Sequence, residues 1–280
     1  MATVNFHGAK EGQLSPLFPF GPMVLYSKLP MNLVRRLNKY GNKIVKNEKK
    51  SKKLDHSHHL VGKLKQEFLI ESEELNQHIP TFNSIISNFL TTELSRHFQI
   101  LAENTGFSLN YKSAWIVRQF AGEYNPAHIH TQCDLSCVGY LKLPPEIDKE
   151  WEEDYKDHYP ANGHIEFIHG QPGKLHKHTF LVKPSVGDFF IFPSDLIHMV
   201  YPFKSEGERR SFSMNIEVVQ HDLDDNGNLA GESESNKLFK EEGTSKLSQL
   251  KVAPVKEKVY IVPTFLGEKH GATDNSTTFK

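Results

Sequence analysis

From residue 110 to 219, one insertion apart, the chain offers no helix-length stretch between turn signals. Instead it runs through "YKSAWIVRQFAGEYNPAHIH", "SCVGYLKL", "GHIEFIHG", "HTFLVKP", "GDFFIFP" and "RRSFSMNIEVV". These segments are short, rich in β-branched and aromatic residues, and bounded by Gly, Pro, Asp or charged loops. Parallel strands need long crossovers, usually helical, and none fit between these segments. The strands must therefore pair antiparallel, which predicts a mainly β sandwich or barrel.

The first third differs. In "LPMNLVRRLNKYGNKIVKN" the apolar residues Leu33, Val34, Leu37, Tyr40 and Ile44 recur at helical spacing, with Pro30 suited to the helix start. The basic run "KNEKKSKK" at 46–53 breaks the pattern and predicts a solvated loop. A second stripe, Phe82, Ile85, Ile86, Phe89 and Leu90, continues at Leu94, Phe98 and Leu101, with Gly106 as its expected stop. The expected organisation is an N-terminal helical region over 1–105 packing on the barrel, a β core over 106–220, and a polar, flexible extension over 221–280 in which 257–267 docks back as a short strand. Within the core, the insertion 144–163, with Trp151, Tyr155 and Tyr159, suits either a lid or a surface excursion.

Bulk properties narrow the partners. The chain has 280 residues and a formal net charge of −1, and this balance argues against a polyanionic partner such as nucleic acid. Cys133 and Cys137 lie four apart with no disulfide pattern, and no apolar run reaches the length of about 20 residues needed to cross a bilayer. The expectation is a soluble cytoplasmic protein with reduced thiols and no membrane partner.

Among 16 histidines, His128 and His130 stand out because residues i and i+2 of a strand share a face, so one ion can bridge both imidazoles. An H-x-H is weak by itself, and a second one occurs at His176 and His178. The downstream stretch "GDFFIFPSDLIHMVYPFKSEGERRSFSMNIEV" sharpens the case. Gly187 and Asp188 open a strand, Pro193 to Asp195 turn it, His198 begins the next, and Arg209 and Ser211 follow.

Over residues 105 to 219 this arrangement resembles the Fe(II)- and 2-oxoglutarate-dependent oxygenases, and in detail the phage and marine-bacterial members. One matching block holds Trp115, Gly122, His128, His130, Leu135, Ser136, Val138, Tyr140 and Leu141. The other holds Gly187, Phe192, Pro193, Ser194, His198, Pro202, Glu208, Arg209, Ser211 and Asn215. The resemblance implies a double-stranded β-helix, or jelly roll, covered by the helices, with Fe(II) and 2-oxoglutarate as cofactors and hydroxylation of an unspecified small-molecule or macromolecular substrate. It implies His128 and His198 as metal ligands, with His130 where the usual carboxylate stands. Asp134 is the nearby carboxylate that completes or replaces the set. Imidazole also suits Zn, Cu or Ni, so three histidines specify the metal less tightly than two and a carboxylate.

Under the same resemblance Arg209 anchors the cosubstrate's second carboxylate, since a planar guanidinium binds a carboxylate through two parallel bonds. Ser211 and Tyr140 add hydroxyls. Parity along the strand puts Arg209, Ser211, Ser213, Asn215 and Glu217 on one face and Arg210, Phe212, Met214, Ile216 and Val218 on the other. That polar face suits either a wet pocket or plain solvent. Trp115, Phe190 and Phe192 are expected in the core, "DHSHH" at 55–59 in an exposed loop, and His164 and His169 carry no assignment. Two other readings stay open on sequence alone: a cupin-type metalloprotein that does not use 2-oxoglutarate, and a non-catalytic jelly-roll accessory protein. Arg209 separates the first from the oxygenase.

Overall fold

The computed structural model describes residues 9–17, 21–57, 62, 64, 66–97, 105–153, 161–174, 177–223, 229–232 and 259–261. Eight successive strands form the core: β4 (Thr105–Gln119), β5 (Asn125–His128), β6 (Leu135–Lys142), β7 (Ile165–Ile168), β8 (Thr179–Val182), β9 (Asp188–Pro193), β10 (Ile197–Val200) and β11 (Arg209–Leu223). They divide into a large sheet holding β9-β6-β11-β4 and a small sheet ordered β5-β10-β7-β8, with antiparallel pairing throughout. Apart from β7 and β8, which pair with each other, consecutive strands thus cross between two facing sheets, which is the double-stranded β-helix.

The large sheet is wider than the sequence suggests. β1 (Leu14–Leu17) and β2 (Val24–Lys28) extend it beyond β9, while β3 (Gln66–Leu69) and β13 (Val259–Ile261) pair with β4, and β12 (Leu229–Glu232) pairs with β11. The pairing of Tyr260 with Ser108 places part of the expected docking segment on the sheet.

The helices fulfil most of their periodicity. α1 (Met31–Val45) buries Leu33, Val34, Leu37, Tyr40 and Ile44, and α4 (Ile79–His97) buries Phe82, Ile85, Ile86, Phe89 and Leu90. Phe98 and Leu101 lie outside the described residues. Gly106 does not stop that helix, because strand pairing with β11 already claims it opposite His221. Nor is the basic run a loop. It forms α2 (Glu48–Leu54), started by Asn47, whose side chain accepts from the Lys50 amide at 2.9 Å, with Leu54 buried beneath the solvated lysines. A short α3 (Ser72–Asn76) precedes α4.

The alternation of β11 now has two partners. Phe212, Met214 and Ile216 join Ile116, Cys137, Phe189 and Ile191 in the core beneath α1 and α4. Arg210, on that same face, donates to the Asn38 carbonyl and Asn42 carboxamide of α1 and to Glu208, pinning the helix to the sheet. Burial alone would raise the Glu208 pKa, but Arg210 and Arg118 together hold it down at about 2. The opposite face of the large sheet presents Val138, Tyr140, Phe190 and Phe192 to Ile165, Phe167, Val182 and Val200 of the small sheet, forming a second core between the sheets.

The insertion is anchored rather than free where it is described. α5 (Ile147–Glu153) carries Glu150, which accepts from the backbone amides of Lys204 and Ser205 at 2.8 and 2.7 Å. Trp151 donates to the Asn162 carbonyl at 2.7 Å, with the Lys183 ammonium over its ring. Tyr155 and Tyr159 lie outside the described residues, as do His58, His59 and His176 and most of the C-terminal extension.

Candidate metal centre and anion pocket

His128 ends β5 and His198 is the second residue of β10, and the two are direct cross-strand partners. Beyond β5 the chain stays extended long enough for the His130 amide to donate to the Ser194 carbonyl at 2.9 Å, bringing a third imidazole to the same place. One ring nitrogen from each of His128, His130 and His198 lies within 4.8 Å of the others. His130 Nε2 is 3.3 Å from His198 Nε2.

The rings are prepared to donate electron pairs. His128 Nδ1 lies 2.8 Å from the Pro126 carbonyl and His198 Nδ1 lies 2.9 Å from the Leu196 carbonyl. A carbonyl only accepts, so the proton sits on Nδ1 and each Nε2 presents a lone pair. Burial disfavours charge on all three: it lowers the pKa of His128, brings His130 to about 4 with help from His128, and drives His198 well down, reinforced by the two neighbouring imidazoles. Neutral imidazoles are what a divalent cation requires. Phe192 stands edge-on to the buried His198 at 4.8 Å and Trp115 stacks on His130 at 5.6 Å, while His128 and His130 stay partly open to solvent.

On β11, Arg209 is only 2% exposed. Its cross-strand partner Gln119 takes Nη1 at 2.9 Å through Oε1 and is itself held by donating Nε2 to the Glu123 carbonyl. Arg209 Nε and Nη2 have no hydrogen-bond partner, and among the described residues no carboxylate forms an ion pair with this guanidinium. These two nitrogens form the edge that grips a carboxylate with two parallel bonds. The guanidinium carbon stands 4.9 Å from the ring centre of Tyr140, whose hydroxyl is also buried without a partner. Burial raises the pKa of that phenol, while Arg209 pulls it down. Ser211, buried on the same face, sits opposite Tyr140 in the ladder. Leaving a buried cation uncompensated costs several kcal/mol, on the order of the penalty for any desolvated ion. The donors match an anion bearing a carboxylate.

The structure thus brings His128, His130 and His198 together and sets Arg209, Ser211 and Tyr140 on one wall of the same barrel. It removes Asp134 from consideration: its carboxylate accepts the Val218 amide at 2.7 Å, tying down the ladder between β6 and β11 away from the imidazoles. His178 and His164 also stand outside the cluster, His164 being buried with Nδ1 on the Asn162 carbonyl. Trp115 is buried as expected and also stacks beside His130. Asn215 also lies against His130, close enough to favour its protonated form. Gln119 was invisible beforehand, because its partner is set by the register of β4 on β11.

Residues 113–215 match the profile of the family described as "Putative 2OG-Fe(II) oxygenase". No curated protein matches the chain. Among solved structures, a Pseudomonas putida prolyl-4-hydroxylase shares 16% identity over 69% of this chain and 91% of that one, with a TM-score of 0.43. The Trichoplax adhaerens prolyl hydroxylase bound to a hypoxia-inducible-factor peptide shares 11% over 69% and 83%, with a TM-score of 0.44. The carbocyclase SnoK of nogalamycin biosynthesis shares 11% over 85% and 90%, with a TM-score of 0.45. The profile spans the barrel from β4 to β11 and encloses both the three imidazoles and the unpaired guanidinium edge. Over residues 113–215 the chain is thus similar to the 2OG-Fe(II) oxygenase family, whose members use non-haem iron and 2-oxoglutarate.

Proposed function

We propose that this protein is a dioxygenase that hydroxylates its substrate, with His128, His130 and His198 holding Fe(II) and Arg209, Ser211 and Tyr140 binding 2-oxoglutarate. The observation that carries the reading is the unpaired Nε/Nη2 edge of buried Arg209 in the same barrel as three converging neutral imidazoles. A cupin-type metal site has no use for that guanidinium.

When bound, Fe(II) and 2-oxoglutarate would supply the oxidation of a substrate C–H bond by O2, one oxygen atom ending in the substrate hydroxyl and the other in the succinate left when the cosubstrate loses CO2. The protein's own residues prepare the site. The Pro126 and Leu196 carbonyls fix the tautomers of His128 and His198. Gln119 orients the guanidinium, so the far carboxylate of a five-carbon diacid meets donors already in place, and little ordering remains to be done on binding. Tyr140 offers one more donor, and the Phe167, Phe190 and Phe192 rings keep bulk water from the interior.

An anaerobic titration of the protein with Fe(II) and then 2-oxoglutarate tests this through the visible charge-transfer band of the complex. The band is expected in the wild type, lost in His198→Ala, and shifted to higher 2-oxoglutarate concentration in Arg209→Gln. A metal-binding protein that gives no band at any 2-oxoglutarate concentration overturns the proposal.

A further inference from the structure

The three imidazoles are not equally supported. His128 and His198 are each clamped by a backbone carbonyl two residues earlier in the chain. Among the described residues no backbone carbonyl accepts from the His130 ring, which sits beyond the end of β5. Its orientation therefore depends on packing by other strands, foremost Trp115 of β4, which stacks on it at 5.6 Å.

Trp115 is in turn held by a residue outside the barrel proper. The ladder of β3 on β4 pairs Leu69 with Trp115 and Glu67 with Val117, so the Glu67 carboxyl lies diagonally beside the indole, which pulls its pKa down. Strand parity puts Glu67 on the same face as Trp115 and Gln119. The backbone of Glu67 is fixed on both sides: its amide donates to Ser57 Oγ at 3.0 Å and its carbonyl accepts from the His56 amide at 2.9 Å. With 6% exposure, this side chain has little freedom to leave the indole. A carboxyl group kept in such a place costs desolvation, and a hydrophobic residue of similar size would avoid that cost.

We propose that Glu67 is a positioning residue for the metal centre: through the Trp115 indole it fixes the ring of His130 so that Nε2 joins those of His128 and His198. The proposal rests on the three-imidazole ligand set given above. Burial lifts the Glu67 pKa to about 8, against the pull of the indole, so the group is largely neutral near pH 7. Its carbonyl oxygen still accepts, and glutamine reproduces both shape and acceptor.

The test uses Co(II) binding by the full chain, stripped of metal beforehand, read by ligand-field absorption and by competition with a chelator. Glu67→Leu and Trp115→Phe are each expected to weaken Co(II) roughly 10–100-fold, the usual consequence of losing support behind a ligand, and to alter the ligand-field spectrum. Glu67→Gln restores wild-type affinity and spectrum. Because the two residues act in series, the double variant Glu67→Leu/Trp115→Phe is no weaker than the worse single variant. Wild-type affinity and spectrum in Glu67→Leu, alongside weakened binding in His130→Ala, overturns the proposal while sparing the ligand set. Wild-type binding in His130→Ala overturns the ligand set and the proposal with it. If near-UV circular dichroism shows Glu67→Leu unfolded, Trp115→Phe decides on the same criteria, since it deletes the indole N–H beside Glu67.

Discussion

Arg209 and Glu67 show how differently two buried charged side chains behave. Arg209 is held on one nitrogen by a neutral amide and keeps a two-nitrogen edge free. Arg209→Lys keeps the charge but replaces that edge with a single ammonium. The dissociation constant for 2-oxoglutarate is expected to rise roughly 10–100-fold, read from the same anaerobic titration, as for other bidentate sites. Glu67 instead lies in a place that favours its neutral form. Its folded-state pKa of about 8 exceeds its ordinary 4.5, so the unfolded chain releases this proton first. The contribution of Glu67 to stability is therefore complete below about pH 4.5 and lost as pH rises to about 8. Glu67→Gln removes that part of the decline, which urea unfolding at pH 5 and pH 8 will show. The His128 and His130 pair and the Arg209 spacing were legible in the sequence. Glu67 was not, because nothing in residues 66–69 says that they add an edge strand beside Trp115.

Among the elements, the strands were easiest to recognise and the pairings hardest. Period-2 alternation placed Phe212, Met214 and Ile216 opposite Arg209 and Ser211, and the core beneath the helices takes the first set while Ser211 lies beside Tyr140 on the other face. Close approach between strands left no comparable trace. Gly139 of β6 lies against Phe212, and a Cβ there would meet Phe212 Cε1 at 2.2 Å. Gly139→Ala is expected to destabilise the protein by about 1–3 kcal/mol, the usual cost of overpacking a filled core, measured as a lower urea midpoint with unchanged slope. Gly187 has a different reason: its φ of +91° turns the chain into β9. The helix α2 escaped a charge-based reading because its lysines are solvated while a single residue, Leu54, does the packing.

Across the whole molecule the metal centre joins elements far apart in sequence. β5, the segment beyond it and β10 each supply one imidazole, so a cation bound there stabilises the folded state only. With Co(II) at 100 times its dissociation constant the gain is about 2.7 kcal/mol. For a chain of this size that amounts to roughly 5–10 °C in Tm, a shift that a chelator reverses and His198→Ala never shows. The sequence alone determined which segments alternate as strands, which stripes make helices, and which histidines and arginine carry the family pattern, because those properties depend on local spacing. Tertiary structure alone decided that Asp134 serves the backbone, that Gln119 holds the guanidinium, and that Trp115 and Glu67 stand behind His130. Each of these depends on the register between strands distant in the chain, and register is settled by packing on both faces of the sheet at once.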